Sequence, residues 1–487
     1  MYGLASPTNG APHLLIRVAE ATCEAVEHIT STAGVDGPWP GRRQVLEIEL
    51  APGRSDRSPS DGGLHTVTGE PVEGGPATVL VRLHGSPLAR LTVDIPMGAD
   101  TADVARLLMP TVIEEIAEHL RADGLATPES ADELLLDLPP GRSCAGRLAL
   151  PSPVPRVTVV IPTVGREDLA GCLRSLLAQD YDDFEVIVVD NAPSAGNRRV
   201  LDRVLDAAED PAHRLRRVVE SRPGASYARN RGLVAATGTI VAFVDDDVLV
   251  DPGWLPAIVA AFDFVPGVAC VTGLVLPWEL ETQEQAWFEQ YGGFGKGFRR
   301  RAFDLDEHRG DHALYPYLPG QYGTGACIAF RRDFLRDLGG FDPTLGGRRP
   351  VVGGEDIDVL LRTVLSGAVL VYEPRALLWY QPYRDTRALQ RQMVIYGRGL
   401  SAVLLKAALA KPAVGWDVLR RLPAGFRFLL DPGSGKNAGK QDFPRGLALR
   451  ELAGVLSGPF AYAWARSGQA RRNDGATDKA AVTEPRV

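Results

Sequence analysis

Cysteine is scarce and scattered. The five cysteines, Cys23, Cys144, Cys172, Cys270 and Cys327, form no CxxC pair in 487 residues. That spacing excludes a zinc or disulfide framework and predicts reduced, core-filling thiols in a cytoplasmic protein. A secretion signal is missing too, because Met-Tyr-Gly-Leu-Ala-Ser-Pro has no basic stretch followed by an apolar one. The longest weakly charged stretch, Leu452 to Ala465, contains Gly454, Gly458 and Pro459. It falls short of the ~20 residues that span a bilayer, so no transmembrane helix is expected. Excess positive charge is also absent. The formal net charge is -8, and nucleic acid is excluded as an expected partner.

The length predicts more than one domain. Residues 1–150 read as an accessory α+β unit: Gln44–Leu50, Thr78–Leu83 and Leu91–Ile95 have strand character, and Gly53–Gly75 has loop composition. Val104, Leu107, Leu108, Val112, Ile113, Ile116 and Leu120 repeat at helical spacing, with Pro110 expected to divide that helix or start a second one. His65, His84 and His119 stand apart in sequence and read as structural. Pro151-Ser-Pro-Val-Pro-Arg156 is a stiff linker, residues 151–156, where the composition changes.

From Val157 the rhythm becomes strand, polar turn, helix, as in a mostly parallel α/β sheet whose loops gather at the strands' C-terminal edge. Asp245-Asp246-Asp247 closes the apolar run Thr239–Val244 and opens a polar turn, Val248–Gly253. Such a position is where open α/β sheets bind ligands. Three adjacent acids ask for a cation, and oxygen-only ligands favour Mg2+ or Mn2+ completed by substrate phosphates. An isolated acidic triplet can equally be a solvated turn or a helix start. Asp190-Asn191, ending the strand Phe184–Val189, offers an acid that could accept from a base N–H, or a simple turn pair.

Val-Thr-Val-Val-Ile-Pro-Thr163, Val-Ile-Val-Val-Asp-Asn191, Arg222-Pro-Gly-Ala-Ser-Tyr-Ala-Arg229-Asn-Arg-Gly-Leu, Val-Ala-Phe-Val-Asp-Asp-Asp247 and Gly354-Glu355-Asp356 occur in that order. Together they resemble the family 2 glycosyltransferases of the GT-A fold, over about Val157 to Leu405 and with an extra N-terminal region. The resemblance implies an enzyme moving a sugar from a nucleotide-diphosphate sugar (UDP, dTDP or GDP) to an acceptor hydroxyl, with Mn2+ or Mg2+ as cofactor. It places Asp190, Pro162 and Thr163 at the donor's base, Arg222 and Arg229 near the nucleotide or its phosphates, and Asp245 and Asp246 on the donor side. Asp247 would be the metal ligand. Asp356 would be the general base and Glu355 its orienting partner, so that one direct displacement inverts the anomeric carbon.

Two departures stand out. Cys327 lies in Gly323–Arg331, the segment resembling the acceptor-side lining, where a polar residue such as Asn is common. Many relatives carry a metal-binding histidine after the strand equivalent to Ala368–Tyr372, yet the last histidine here is His312 and the region reads Leu378-Trp-Tyr-Gln-Pro-Tyr-Arg384. Tyr291–His312, mixing glycine, aromatic and basic residues, reads as a loop able to close over a phosphate-bearing ligand, or as a plain surface loop.

The catalytic domain is placed at residues 157–383 and a helical region broken by prolines at residues 384–466, with a disordered tail at residues 467–487. Arg420, Arg421 and Arg427 beside Trp416, Phe426 and Phe428 suit packing on the catalytic domain or peripheral contact with the inner face of a membrane. Glycan, lipid-linked and small-molecule acceptors are all compatible. A non-catalytic sugar-nucleotide or glycan-binding protein and a nucleotidyltransferase are the competing readings, the second opposed by the lack of a Gly-rich basic loop after the first strand.

Overall fold

The computed structural model describes residues 41–50, 64–127, 150–347, 353–431, 433–434, 436–437, 440 and 443–481, with side chains described as far as residue 467. Cys23, Cys144, Pro432, the first half of the Gly53–Gly75 loop and the last residues of the tail lie outside them. The described cysteines, Cys172, Cys270 and Cys327, are free and buried, as their apolar surroundings predict.

Strands β1 (Gln44–Glu49), β2 (Leu64–Thr66), β3 (Gly75–Leu83) and β4 (Ser86–Ile95) form a sheet in the order β2-β1-β3-β4. Strand β2 falls inside the segment expected to be loop; three residues suffice because β1 supplies the antiparallel partner. Helix α1 (Thr101–Ala122) packs on this sheet and runs unbroken through Pro110. Pro110 faces solvent, so the carbonyl it leaves unbonded can turn to water. Burial of Val104, Leu108, Val112, Ile116 and Leu120, at about 1.5–3 kcal/mol each, outweighs the roughly 3 kcal/mol that an interior proline costs.

The larger sheet has the order β11-β13-β10-β12-β8-β5-β6-β7, with β9 paired to β13. Its first half alternates β5 (Val157–Thr163), α2 (Leu169–Leu177), β6 (Phe184–Asp190), α3 (Ala195–Asp206), β7 (Leu215–Val219), α4 (Ala225–Ala235) and β8 (Ile240–Val244). Strands β5, β6, β7 and β8 are parallel. Strands β5, β6 and β8 are apolar because helices cover both faces, while β7, at the sheet edge, carries Arg216 and Arg217. Strand β9 (Val248–Val250), α5 (Trp254–Ala261), β10 (Val268–Pro277), α6 (Gln283–Tyr291), β11 (Arg301–Phe303), β12 (Cys327–Arg331), α7 (Arg332–Asp337), α8 (Glu355–Leu365) and β13 (Val369–Tyr380) complete it. Residues 248–250, expected as polar turn, instead pair antiparallel with Leu378–Tyr380.

The two sheets touch through Arg43, Arg82 and Arg90. Arg82 bonds Glu47 and lies 2.6 Å from Asp251, just past the acidic triplet, while Arg90 lies 2.7 Å from Glu289. The Arg43 N–H donates to Leu280 O at 2.8 Å. Past β13 come α9 (Thr386–Ala410), α10 (Pro412–Leu430) and α11 (Arg445–Ala481). Pro423 and Pro459 lie inside α10 and α11 rather than breaking them, and the backbone of α11 continues through 467–481, expected to be disordered. Among the described residues α9, not Leu452–Ala465, is long and apolar enough to cross a membrane, with a mean hydropathy of 1.4 in its most apolar window. Its Lys406 nevertheless pairs with Asp342 and Asp358 of the protein, each at 2.8 Å.

Candidate functional site

The acidic triplet follows β8, and its three side chains have different surroundings. Asp246 turns inward, accepting from the Thr163 hydroxyl at 2.5 Å, and is buried. Asp245 and Asp247 keep 39% and 44% of their side-chain surface exposed, enough to meet a ligand. The end of β5 therefore positions the middle acid, leaving the outer two toward the crevice. Burial first, then the charges of Asp245 and Asp246, push the Asp247 carboxyl up to about 6. Burial likewise raises Asp246. Arg166 opposes both, lying 2.8 Å from Asp247 and 3.9 Å from Asp246.

Arg229 of α4 joins this triplet to a second acidic motif more than a hundred residues later. Its guanidinium donates to Asp245 Oδ1 at 3.1 Å and to Glu355 Oε1 at 2.7 Å. Burial disfavours the charge on Arg229, but Asp245, Glu355 and Asp356 outweigh it and raise its pKa. Glu355 is raised in turn, by burial and by Asp356 against the pull of Arg229. Glu355 and Asp356 begin α8 after Gly354, whose φ of 98° lies in the left-handed region that glycine adopts cheaply. The Gly325 N–H donates to Asp356 Oδ2 at 3.1 Å, and a Cβ on Gly325 would sit 2.7 Å from that of Asp356.

Other expected positions have partners of their own. Asp190 ends β6 in register with Thr163, accepts from the Ala192 N–H at 2.9 Å and pairs with Arg217. Pro162 is half-buried on β5. Arg222 is held by Glu220, at 3.0 and 2.9 Å, and lies over the Tyr227 ring. Asn191 fixes this loop by donating to the Glu220 and Arg222 carbonyls at 2.7 and 2.8 Å. Thr163, Arg229, Asp245, Asp246, Asp247, Glu355 and Asp356 thus form one connected neighbourhood, with Asp190 beside it at the same sheet edge and Arg222 in its own pair.

Cys327, where a polar residue is common, is fully buried on β12, with the Trp254 indole N–H donating to its Sγ at 3.2 Å, and fills core as expected. Burial pushes its thiol up to about 12. Tyr291–His312 is also better anchored than a free loop: β11 pairs with β13, and the Tyr372 hydroxyl accepts from Lys296 N–H at 3.3 Å and donates to Gly297 O at 2.8 Å.

Three residues escaped the sequence reading. Arg166 lies one residue past the Pro162–Gly165 turn. Tyr383 follows β13, where a histidine was sought; burial and the charges of Asp247 and Asp245 raise its pKa. Tyr396 is buried; burial first, then Tyr383 and the charges of Asp356 and Asp245, raise its pKa. The signal for the tyrosines was polar aromatic composition after a buried strand, which is weak without the fold.

The donor set suits a hard divalent ion: exposed carboxylate oxygens on Asp245 and Asp247, with mutual repulsion that a cation would relieve. The Cys172 thiol lies 3.5 Å from the Asp245 carbonyl, but burial and the three acids push its pKa well up, so it stays a neutral thiol beside them.

Residues 158–339 match the profile of the family described as Glycosyl transferase family 2. A glucosyl-dolichyl phosphate glucuronosyltransferase of Haloferax volcanii is 29% identical over 195 residues, covering 39% of this chain and 57% of that protein, so the chain spans little more than half of that relative. A glycosyltransferase of Mycobacterium bovis is 32% identical over 211 residues, 43% of this chain and 80% of its own length. Among solved structures, a mannosyltransferase from Pyrobaculum calidifontis in complex with GDP-Man and Mn2+ is similar at 20% identity, covering 65% of this chain and 80% of its own with a TM-score of 0.38. By its profile match, its coverage of the mycobacterial relative and its α/β GT-A architecture, the chain belongs to glycosyl transferase family 2.

Proposed function

We propose that this protein is an inverting glycosyltransferase that takes a sugar from a nucleoside diphosphate donor. The observation that carries the reading is the link Asp245–Arg229–Glu355, which holds two acidic motifs from distant parts of the chain on opposite sides of one buried cation. Such an arrangement separates a donor end from an acceptor end. Asp190, Pro162, Thr163 and Arg222 would bind the nucleotide, and Asp245 and Asp246 the donor side of the crevice. Asp247 would hold Mn2+ or Mg2+, which when bound neutralises charge growing on the diphosphate leaving group. Arg166, now on Asp247, is a cation within reach of the same oxygens and can turn to a diphosphate when its carboxylate partner is otherwise engaged.

Asp356 takes the proton of the acceptor hydroxyl, its Oδ2 steadied by the Gly325 N–H. Glu355, tied to Arg229, keeps the first turn of α8 in place beneath it. One base and one displacement invert the anomeric carbon. A lipid-linked acceptor is favoured by the archaeal relative's name and by an apolar face on α10, where Trp416, Leu419, Leu422, Phe426 and Leu430 are all exposed beside Arg420 and Arg427.

The test is Asp356→Asn. Transfer should fall by about 10²–10⁴-fold while the donor dissociation constant stays within a factor of a few. Near-normal transfer by the variant would sink the assignment of the base.

A further inference from the structure

The accessory sheet holds a second cluster of ligating groups, well away in sequence from the acidic motifs. His84 occupies the turn between β3 and β4, and His119 and Asp123 lie one turn apart at the C-terminal end of α1. Read along the sequence, these histidines stand apart; folded, they meet. His84 Nδ1 is 3.3 Å from His119 Nε2, and that same Nε2 is 3.2 Å from Asp123 Oδ2. One ligand atom from each residue lies within 4.8 Å of the others.

These spacings are longer than the roughly 2.9–3.0 Å that a hydrogen bond to nitrogen prefers. They also fit the edge of a tetrahedron around Zn2+, about 3.3–3.4 Å for ligands about 2.0–2.1 Å from the ion. The donor set agrees as well, since two imidazoles and a carboxylate suit Zn2+ and leave a fourth position for water.

Backbone geometry adds an independent point. His84 has a φ of 54° and Gly85 a φ of 76°. Hairpin turns of this shape favour Asn-Gly or Gly-Gly, and a side chain such as histidine is held there under backbone strain. Glu49 accepts from the N–H groups of His84 and Gly85, at 2.8 and 2.9 Å, which fixes the turn and aims the imidazole at α1.

We propose that His84, His119 and Asp123 form a Zn2+ site that ties the β3–β4 turn to the end of α1. Arg375 of β13 acts on His119, so the site lies where the accessory sheet meets the larger one. The ion would therefore stiffen the accessory unit on the side facing β13.

The experiment uses the full chain carrying Asp247→Ala, which removes the proposed donor-site ligand so that the two metal sites cannot be confused. Chelator-stripped protein is titrated with Zn2+ against a chromogenic competitor and melted with and without the ion. One Zn2+ per chain is expected, with a rise in melting temperature. Adding His84→Asn should weaken Zn2+ binding by at least about tenfold, and abolish the rise, while the metal-free melting temperature is unchanged or higher because asparagine suits the turn. His65→Ala in the same background should bind as before. No Zn2+ uptake, or unaltered uptake after His84→Asn, would overturn the proposal.

Discussion

Asp247 shows how one residue carries the opposing demands of an acidic cluster. Burial and its acidic neighbours push its carboxyl up to about 6, against about 3.9 in an unfolded chain. Between those values the folded protein holds a proton that the unfolded chain releases, so this group's contribution to stability falls as pH rises through the window and stays lost above it. Removing the charge should therefore stabilise the metal-free protein at pH 7.5. The full shift would correspond to nearly 3 kcal/mol, but with 44% of the side chain exposed, solvent screens the repulsion and about 1 kcal/mol is expected. Thermal melts of Asp247→Asn should show the increase at pH 7.5 and little difference near pH 4. A lower melting temperature at pH 7.5 would mean that the Arg166 pair outweighs the repulsion. By the same titration, metal-dependent nucleotide binding should weaken as pH falls below about 6.

At the scale of elements, the site depends on how closely β12's approach segment meets α8. Gly325 stands 2.7 Å, by its missing Cβ, from the Cβ of Asp356, so Gly325→Ala must push the first turn of α8 or bend the segment away. Overpacking of this kind typically costs about 1–3 kcal/mol. Because it displaces Asp356 and not the triplet, kcat should fall by about tenfold or more while donor affinity is kept. Unchanged kcat would show that the contact yields without moving the base. The parallel strands and their acids were legible in the sequence: Phe184–Asp190 and Ile240–Val244 are apolar runs that end on charge, a pattern local to a few residues. What was not legible depends on distant partners. Val248–Val250 becomes a strand only because Leu378–Tyr380 arrives beside it, and Pro110 is tolerated because it faces water. Arg166 and Tyr383 enter the site through the same long-range packing.

Across the whole molecule, apolar surface is unevenly distributed. No residue of α10 is buried, and Trp416, Leu419, Leu422, Phe426 and Leu430 recur every three or four positions on one face. Helix α11 adds exposed Leu449, Leu456, Phe460 and Trp464. Arginines on α10 suit anionic headgroups, each worth about 1 kcal/mol near a charged bilayer. The protein should sediment with phosphatidylglycerol vesicles at low salt and far less with phosphatidylcholine alone, and Trp416→Ser with Phe426→Ser should abolish the difference. Equal recovery in the supernatant with either lipid would remove the membrane from the account. Arg82 ties Glu47 of the accessory sheet to Asp251, so that unit braces the segment just beyond the acidic triplet.

The central claim is that a nucleoside diphosphate and a divalent ion are bound together at the triplet. Calorimetric titration with UDP, GDP and dTDP, each with and without Mn2+, tests it most directly. One nucleotide should bind in a Mn2+-dependent manner, and Asp247→Ala should lose that binding while keeping its fold. Absence of binding by all three with the ion present would contradict the account and favour a non-catalytic member of the family.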